Sequence, residues 1–202
     1  MNNRRILIAN VASPERDTRR VLIANLAKGQ IGEQAANLFG SLLISHLQLV
    51  TMARSELAPD RRAPFFVHVD EFPNFATDAF ASLLSEARKF GTHFCLAAQY
   101  LAQTSARVRS AVLGNAGTLM VFRVSAEDAE VLAPEFHPLP APELTDQPPF
   151  QAWVRRSDSQ RRVAFIEPPL FQSRNCRARI IAQSRRNFAR PRAIIEQSHR
   201  LK

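Results

Sequence analysis

The sequence predicts an α/β protein whose parallel sheet is covered by helices on both sides, a three-layer arrangement, and three observations predict it. Short apolar runs alternate with amphipathic stretches along the first 135 residues, the order that builds parallel sheets. Several of those runs are apolar at consecutive positions, as strands buried on both faces are. The third is bulk: 202 residues with 46 % apolar content suffice to fill a core and exclude a wholly disordered chain. No uninterrupted apolar run approaches the about 18 to 20 residues of a membrane span, and Arg4-Arg5 leads only into the short stretch 6–9, so neither a membrane span nor a secretory signal is expected. Cys95 and Cys176 stand far apart without neighbouring ligands, which argues against a disulfide framework or a zinc site and for a reducing cytoplasm.

Taken in order, a short phrase occurs twice, Arg4-Arg5-Ile6-Leu7-Ile8-Ala9-Asn10 and Arg19-Arg20-Val21-Leu22-Ile23-Ala24-Asn25. Each copy suits a buried strand, and a local duplication would leave only one copy in a regular slot. From Ile31 to Arg54, Leu38, Leu42, Leu43, Leu47 and Val50 recur at three- and four-residue intervals, predicting one long amphipathic helix. Pro59 lies in the polar stretch that ends it, and Phe65-Phe66-Val67-His68-Val69 follows as a strand stopping at Asp70. Thr77-Asp78 caps a helix reaching Phe90, with Gly91 as its stop. Residues 93–98 form a strand, 105–113 a helix and 118–122 a strand; Ser125 caps a helix over 126–132, with Glu127 and Asp128 in the first turn where the helix dipole favours them. Eight of the 13 prolines fall between Pro134 and Pro169, which makes that segment an extended connection. Within it 151–154 and 162–166 suit a hairpin packed by Trp153, and the last 30 residues are basic with short apolar patches. The expected division is 1–136 and 137–202.

The strongest chemical signal is the apolar strand ending in Asp70-Glu71. A nucleotidase of the P-loop kind needs two carboxylates there, the first for the water shell of Mg²⁺ and the second to polarise an attacking water. Two solvated acids at a strand end would look the same. Gln99 closes the next strand, from which a neutral amide can reach a terminal phosphate oxygen. His68 and His93 read as packed core histidines and Cys95 as a buried thiol.

The blocks Val69-Asp70-Glu71-Phe72-Pro73-Asn74-Phe75, Leu84-Ser85-Glu86-Ala87-Arg88-Lys89, Ala97-Ala98-Gln99-Tyr100 and Gly114-Asn115-Ala116-Gly117-Thr118 with Phe122-Arg123-Val124 resemble, in this order, the C-terminal half of the TraD/TraG coupling-protein ATPases of type IV secretion and conjugation. Those proteins belong with the HerA and FtsK motors. The likeness covers roughly residues 19–136, including Leu26-Ala27-Lys28-Gly29-Gln30-Ile31-Gly32-Glu33. It implies a RecA/HerA-like P-loop sheet, with ATP and Mg²⁺ as cofactors. Asp70 and Glu71 would be the Walker B pair, with Asp70 on the metal and Glu71 as base, and Gln99 the γ-phosphate sensor. Arg88 would be an arginine finger reaching a neighbouring subunit in a ring, unless it merely pairs with Glu86; Arg123 is a second candidate for such a role.

A working P-loop enzyme also needs a glycine-rich cradle followed by Lys and Ser or Thr. None of the six glycines is followed by Lys. The likeness places the strand leading into that cradle between the Gln99 strand and the Val121 strand, so without it the two edges stand bare or close on a substitute such as a repeated N-terminal strand. The resulting expectation is the Walker B side of a DNA-translocating motor, incomplete at its N-terminus and without turnover alone. Its partners would be DNA, relaxosome or secretion-channel proteins and further copies in a ring, on the cytoplasmic side or peripheral at the inner face of the membrane. A non-enzymatic module binding nucleic acid or a relaxosome protein, or an inactive relic, is the competing reading.

Charge bears on that choice. The net charge is +9, yet residues 1–149 hold 14 Lys and Arg against 15 Asp and Glu, while 150–202 hold 13 against 3. The entire positive excess lies in the C-terminal quarter, where attraction to nucleic acid would be non-specific and salt-sensitive. Trp153, Phe165, Phe171 and Phe188 are too sparse there for a base-stacking platform.

Overall fold

The computed structural model describes residues 6–12, 19–26, 28–156, 159–165, 175–191 and 194–197. The chain divides into two compact units, Met1–Phe165 and Ile166–Lys202. The first contains β1 (Ile6–Ala12), β2 (Arg19–Asn25), α1 (Lys28–Ile31), α2 (Glu33–Ala53), β3 (Phe65–Val69), α3 (Asp78–Ala87), β4 (Thr92–Leu96), α4 (Ala106–Asn115), β5 (Thr118–Val121), α5 (Ala126–Leu132), α6 (Pro142–Thr145), β6 (Gln151–Arg156) and β7 (Ser159–Ala164). The second contains α7 (Arg177–Phe188).

The α/β class stands, but the sheet differs from the expected one. One sheet has the order β2-β1-β3-β4, and in it only β3 and β4 are parallel. Both repeated phrases are strands. They pair with each other as an antiparallel couple, Ile8 opposite Ile23, and β1 runs antiparallel to β3, Ile8 opposite His68. Pairing two strands so near in sequence costs little loop-closure entropy, which explains why both copies occupy regular positions. The couple lies on the side of β3 away from β4 and fills no gap beside β4. β5 leaves the parallel sheet altogether and joins β6 and β7 in a three-stranded antiparallel sheet, Val121 opposite Trp153. The expected 151–166 hairpin is present as β6 and β7, and it supplies the neighbour β5 otherwise lacks. Among the described residues, the outer edges of β4 and β5 carry no strand.

Helices cover one face of the first sheet. Phe65, Val67 and Val69 are buried together with Ile44 and Leu47 of α2, Phe80 and Leu83 of α3, and Val108 of α4. Burying each large side chain contributes about 1.5–3 kcal/mol. Phe66 and His68 alternate with them and are exposed, as are His93 and Cys95, which stand opposite them in register. The histidines are therefore not packed core residues and the thiol is not buried: no layer covers their face among the described residues. His93 instead stacks on Phe66 at 5.2 Å. The register carries the same face onto Val21 and Ile23 of β2, also exposed.

α2 matches the predicted helix and is held at two points. Gly40 packs against the Phe75 ring so tightly that a Cβ would overlap it, and the buried hydroxyls of Thr51 and Thr92 lie 3.3 Å apart. At its end Arg54 donates to the Phe90 carbonyl at 2.7 Å and also to that of Ala63, while Arg62 donates to the Lys89 carbonyl at 2.8 Å. Burial, and then the nearby Arg62 guanidinium, push the Arg54 pKa down. By length and mean hydropathy alone the helical stretch Glu33–Glu56 is apolar enough to cross a membrane. No uninterrupted run reveals this in the sequence because Ser41, Ser45, His46 and Gln48 are interspersed, yet the average stays apolar. Its residues Ala36, Gly40, Ile44, Leu47 and Thr51 face the core.

A second apolar cluster joins Val121, Leu132, Phe136 and Leu144, with Trp153 packed against it and Arg162 stacked over the indole at 5.0 Å. Residues 133–145, expected to be extended, instead form a short 3-10 turn and α6. The buried Gln147 amide donates to the carbonyls of Val121 and Leu144 at 3.1 and 3.3 Å, tying this segment to the end of β5.

Candidate functional site

The ends of β3 and β4 are joined by backbone hydrogen bonds. Ala97 N–H donates to the Val69 carbonyl at 2.9 Å, and Phe72 N–H donates to the Ala97 carbonyl at 3.0 Å. Asp70 and Glu71 therefore sit between two residues bonded to the strand end that leads into Gln99. Asp70 is exposed and Glu71 half-buried. Glu71 adopts a left-handed backbone (φ 53°, ψ 46°), a conformation that costs a non-glycine residue about 1–2 kcal/mol. Its carbonyl is capped from both sides by Asn74, through N–H at 3.2 Å and the side-chain amide at 3.0 Å. Non-glycine strain of this kind clusters at functional sites.

Beside this rim opens a cavity of about 640 Å³, bounded by Leu96 from β4 and by Leu119 and Val121 from β5. Gln99 and Arg123 line it. Asp70 and Glu71 do not, so backbone adjacency brings the acids and the amide to neighbouring positions without turning the carboxylates into the space that the amide faces. Arg88 lies elsewhere. It starts the 3-10 turn after α3, and Gly91, three residues on, accepts from Phe65 N–H at the beginning of β3. That is the end of the strand pair opposite Asp70 and Gln99. Arg88 is exposed and forms no ion pair with Glu86 or any other acid among the described residues.

One residue at the site went unrecognised in the sequence. Asp128 is 1 % exposed, and its two carboxylate oxygens accept from Leu101 N–H at 3.2 Å and Ala102 N–H at 2.9 Å, so it fixes the loop that follows Gln99. Its own N–H donates to the Ser125 hydroxyl at 3.2 Å, the predicted cap. A carboxylate at the third position after a serine cap serves a solvated helix start equally well, and no local signal distinguishes the two. Thr104 completes the loop by donating to the Leu101 carbonyl at 2.6 Å.

Asp70 and Glu71 offer the hard oxygen donors that Mg²⁺ prefers. No group of three or more His, Cys, Asp or Glu side chains suited to a metal occurs among the described residues, and no glycine-rich Lys loop faces the cavity. The residues present therefore do not complete a site for a nucleotide and its metal. Gln99 and Arg123 form one wall of the cavity next to two unpaired strand edges, and the acidic strand end lies beside it.

Two comparisons with known proteins bear on the fold and on one segment of the chain. Residues 64–134, from the start of β3 through α5, match the family model described as the TraM recognition site of TraD and TraG. The structure of VirB4 from Thermoanaerobacter pseudethanolicus is similar, with a TM-score of 0.54 at 12 % identity over 70 % of this chain. The chain spans 40 % of that protein's length, and the likeness speaks for the fold alone. No curated protein matches. From β3 to α5 this chain therefore resembles the TraM recognition segment of TraD and TraG, over the stretch that holds its four sequence blocks.

Proposed function

We propose that the chain is the Walker B side of a type IV secretion coupling ATPase, and that its site is completed by a further stretch of polypeptide seated along the free edges of β4 and β5. The observation that carries this reading is the pair of hydrogen bonds joining Val69, Ala97 and Phe72, which hold Asp70-Glu71 against the strand end of Gln99 beside a gap between two free strand edges. An inserted strand would satisfy both edges at once and, running into the rim, would bring its following loop to these side chains. In a completed P-loop sheet Asp70 would hold the water shell of Mg²⁺, Glu71 would polarise the attacking water, and Gln99 would meet the terminal phosphate of ATP. Arg88, at the far end of the strand pair, cannot serve this same site and fits a neighbouring copy in a ring. Arg123 faces the cavity and is the better candidate for a cation acting within the chain. DNA or a protein-DNA complex is the cargo class such a motor moves.

A second reading draws on the description of the matched family. The same segment would dock a relaxosome protein of the TraM kind without hydrolysing ATP, and the family match over residues 64–134 favours it.

Phosphate release from Mg-ATP separates the readings. The chain alone is expected to give no turnover above that of Glu71→Gln. Fused to a TraD/TraG N-terminal half that carries the glycine-rich Lys loop, it is expected to gain turnover that Glu71→Gln and Gln99→Ala each abolish. A folded chimera with no turnover, together with binding of purified TraM by the unfused chain, would refute the motor reading in favour of the docking module.

A further inference from the structure

The second unit presents a surface that the site does not use. α7 contains Arg177, Arg179, Arg185 and Arg186 and no acidic residue. None of its residues is buried. At about 100° per residue, Ile181, Ser184 and Phe188 fall on one side with Ile180 on its flank, while Arg179 and Arg186 fall opposite and Arg185 lies at the border. Arg177 falls on the same side as Ile181, Ser184 and Phe188, at the first turn, where its long side chain can lay its stem along apolar surface and lift its charge away. Phe188 is 80 % exposed and Ile180 57 %.

Two kinds of anionic partner fit four arginines: nucleic acid and a lipid surface. A nucleic-acid backbone rewards the charges alone and leaves the isoleucines and Phe188 in water, and one phenylalanine gives no row of stacking rings. A bilayer with anionic headgroups uses both sides. The arginines meet phosphates, and the apolar side enters the boundary between headgroups and acyl chains. We infer that α7 is an interfacial helix that binds the unit to an anionic membrane surface, with Ile180, Ile181 and Phe188 inserted and Arg179, Arg185 and Arg186 held at headgroup level. The inference is independent of the reading given above for Asp70, Glu71 and Gln99.

The test is co-sedimentation of the full chain with phosphatidylcholine vesicles, with and without phosphatidylglycerol. Anionic lipid is expected to raise the bound fraction's partition coefficient about tenfold or more, and added salt to lower it. The triple substitution Ile180→Ser, Ile181→Ser, Phe188→Ser keeps every charge and is expected to lose about tenfold of that coefficient. Undiminished binding by this variant would overturn the proposal, because charge alone would then suffice. So would a parent chain that binds a single-stranded oligonucleotide but not the anionic vesicles under the same salt. Phe188→Trp supplies a second readout: its added emission should shift to the blue with anionic vesicles and be quenched by lipids brominated on their acyl chains. Emission unchanged by vesicles would refute insertion.

Discussion

Removing the Asp128 carboxylate is the most informative perturbation of the candidate site, because it acts on the loop after Gln99 without touching Gln99. Asp128→Ala strands two backbone N–H groups, those of Leu101 and Ala102, which now donate to the carboxylate at 3.2 and 2.9 Å. A hydrogen bond to a charged acceptor contributes about 1.5–3 kcal/mol. Two of them would give up to about 6 kcal/mol if both donors stayed buried, but the half-buried loop lets water reach them once it opens. The expected loss is therefore about 3 kcal/mol. The helix-propensity gain of Ala and the lost dipole contact at the first turn are each about 0.5 kcal/mol and opposite in sign. In a unit of this size that loss lowers Tm by about 6–12 °C. Asp128→Asn keeps one acceptor oxygen and should lose about half as much. Thermal unfolding read by circular dichroism gives the magnitude. Amide exchange gives the location: Leu101 and Ala102 should lose protection while Leu83 and Val67, in the other cluster, keep theirs. A Tm change below about 2 °C with both amides still protected would refute the assignment of Asp128 as the anchor of this loop.

Three further sets of substitutions test the elements that shape the rim. Gly40→Ala should destabilise by about 1–2 kcal/mol in urea unfolding, the overlap with Phe75 outweighing the gain in helix propensity, and Phe75→Leu in the same chain should recover most of it. Glu71→Gly should leave the urea midpoint unchanged or raise stability by up to about 1 kcal/mol, since the left-handed backbone is then unstrained, whereas Glu71→Val should lower it by more than about 1 kcal/mol. Ser105→Ala and Ser125→Ala each remove a hydroxyl that accepts from a first-turn N–H, at 3.3 and 3.2 Å, and each should cost about 1 kcal/mol in the same assay.

Local structure was largely legible in the sequence because its signals are local. Thr77, Ser105 and Ser125 all cap their helices through the side chain, and Gly91 ends the α3 region with a positive φ of 68°. Strand pairing was not legible. Whether the Thr118–Val121 run lies beside β4 or beside β6 depends on which neighbour is available, and its own four residues suit either ladder. Burial failed for the same reason. The composition of Phe65–Val69 and of His93–Leu96 describes strands apolar enough for cover on both faces, and the single helical layer covers only one. At the site, the neighbourhood of Asp70, Glu71 and Gln99 followed from strand order, whereas the direction of the carboxylates and the reach of Asp128 across 26 residues to Ala102 depend on tertiary packing.

The two mismatches have a common physical form. An open face of β3 and β4 that carries Phe66 and Cys95 beside two histidines, and strands at β4 and β5 with free edges, each describe surface that can take cover and is not buried within the described residues. Phe66 is 43 % exposed on the uncovered face, and Leu96 and Leu119 border the gap. Were the chain adapted to stand alone, edge strands would carry the charges, prolines or bulges that blunt an edge. β4 reads Thr-His-Phe-Cys-Leu and β5 Thr-Leu-Met-Val, with no such device in either. Under the proposal above, such a surface would take more protein: a strand for the gap and a layer for the open face. If the gap alone receives a strand, hydrogen exchange at β4 and β5 slows on complementation while the Trp emission of a Phe66→Trp variant stays unchanged. If a full layer docks as well, that emission shifts to the blue in the same experiment. Neither change on adding an N-terminal half would mean that the free edges and the open face are solvent surface after all.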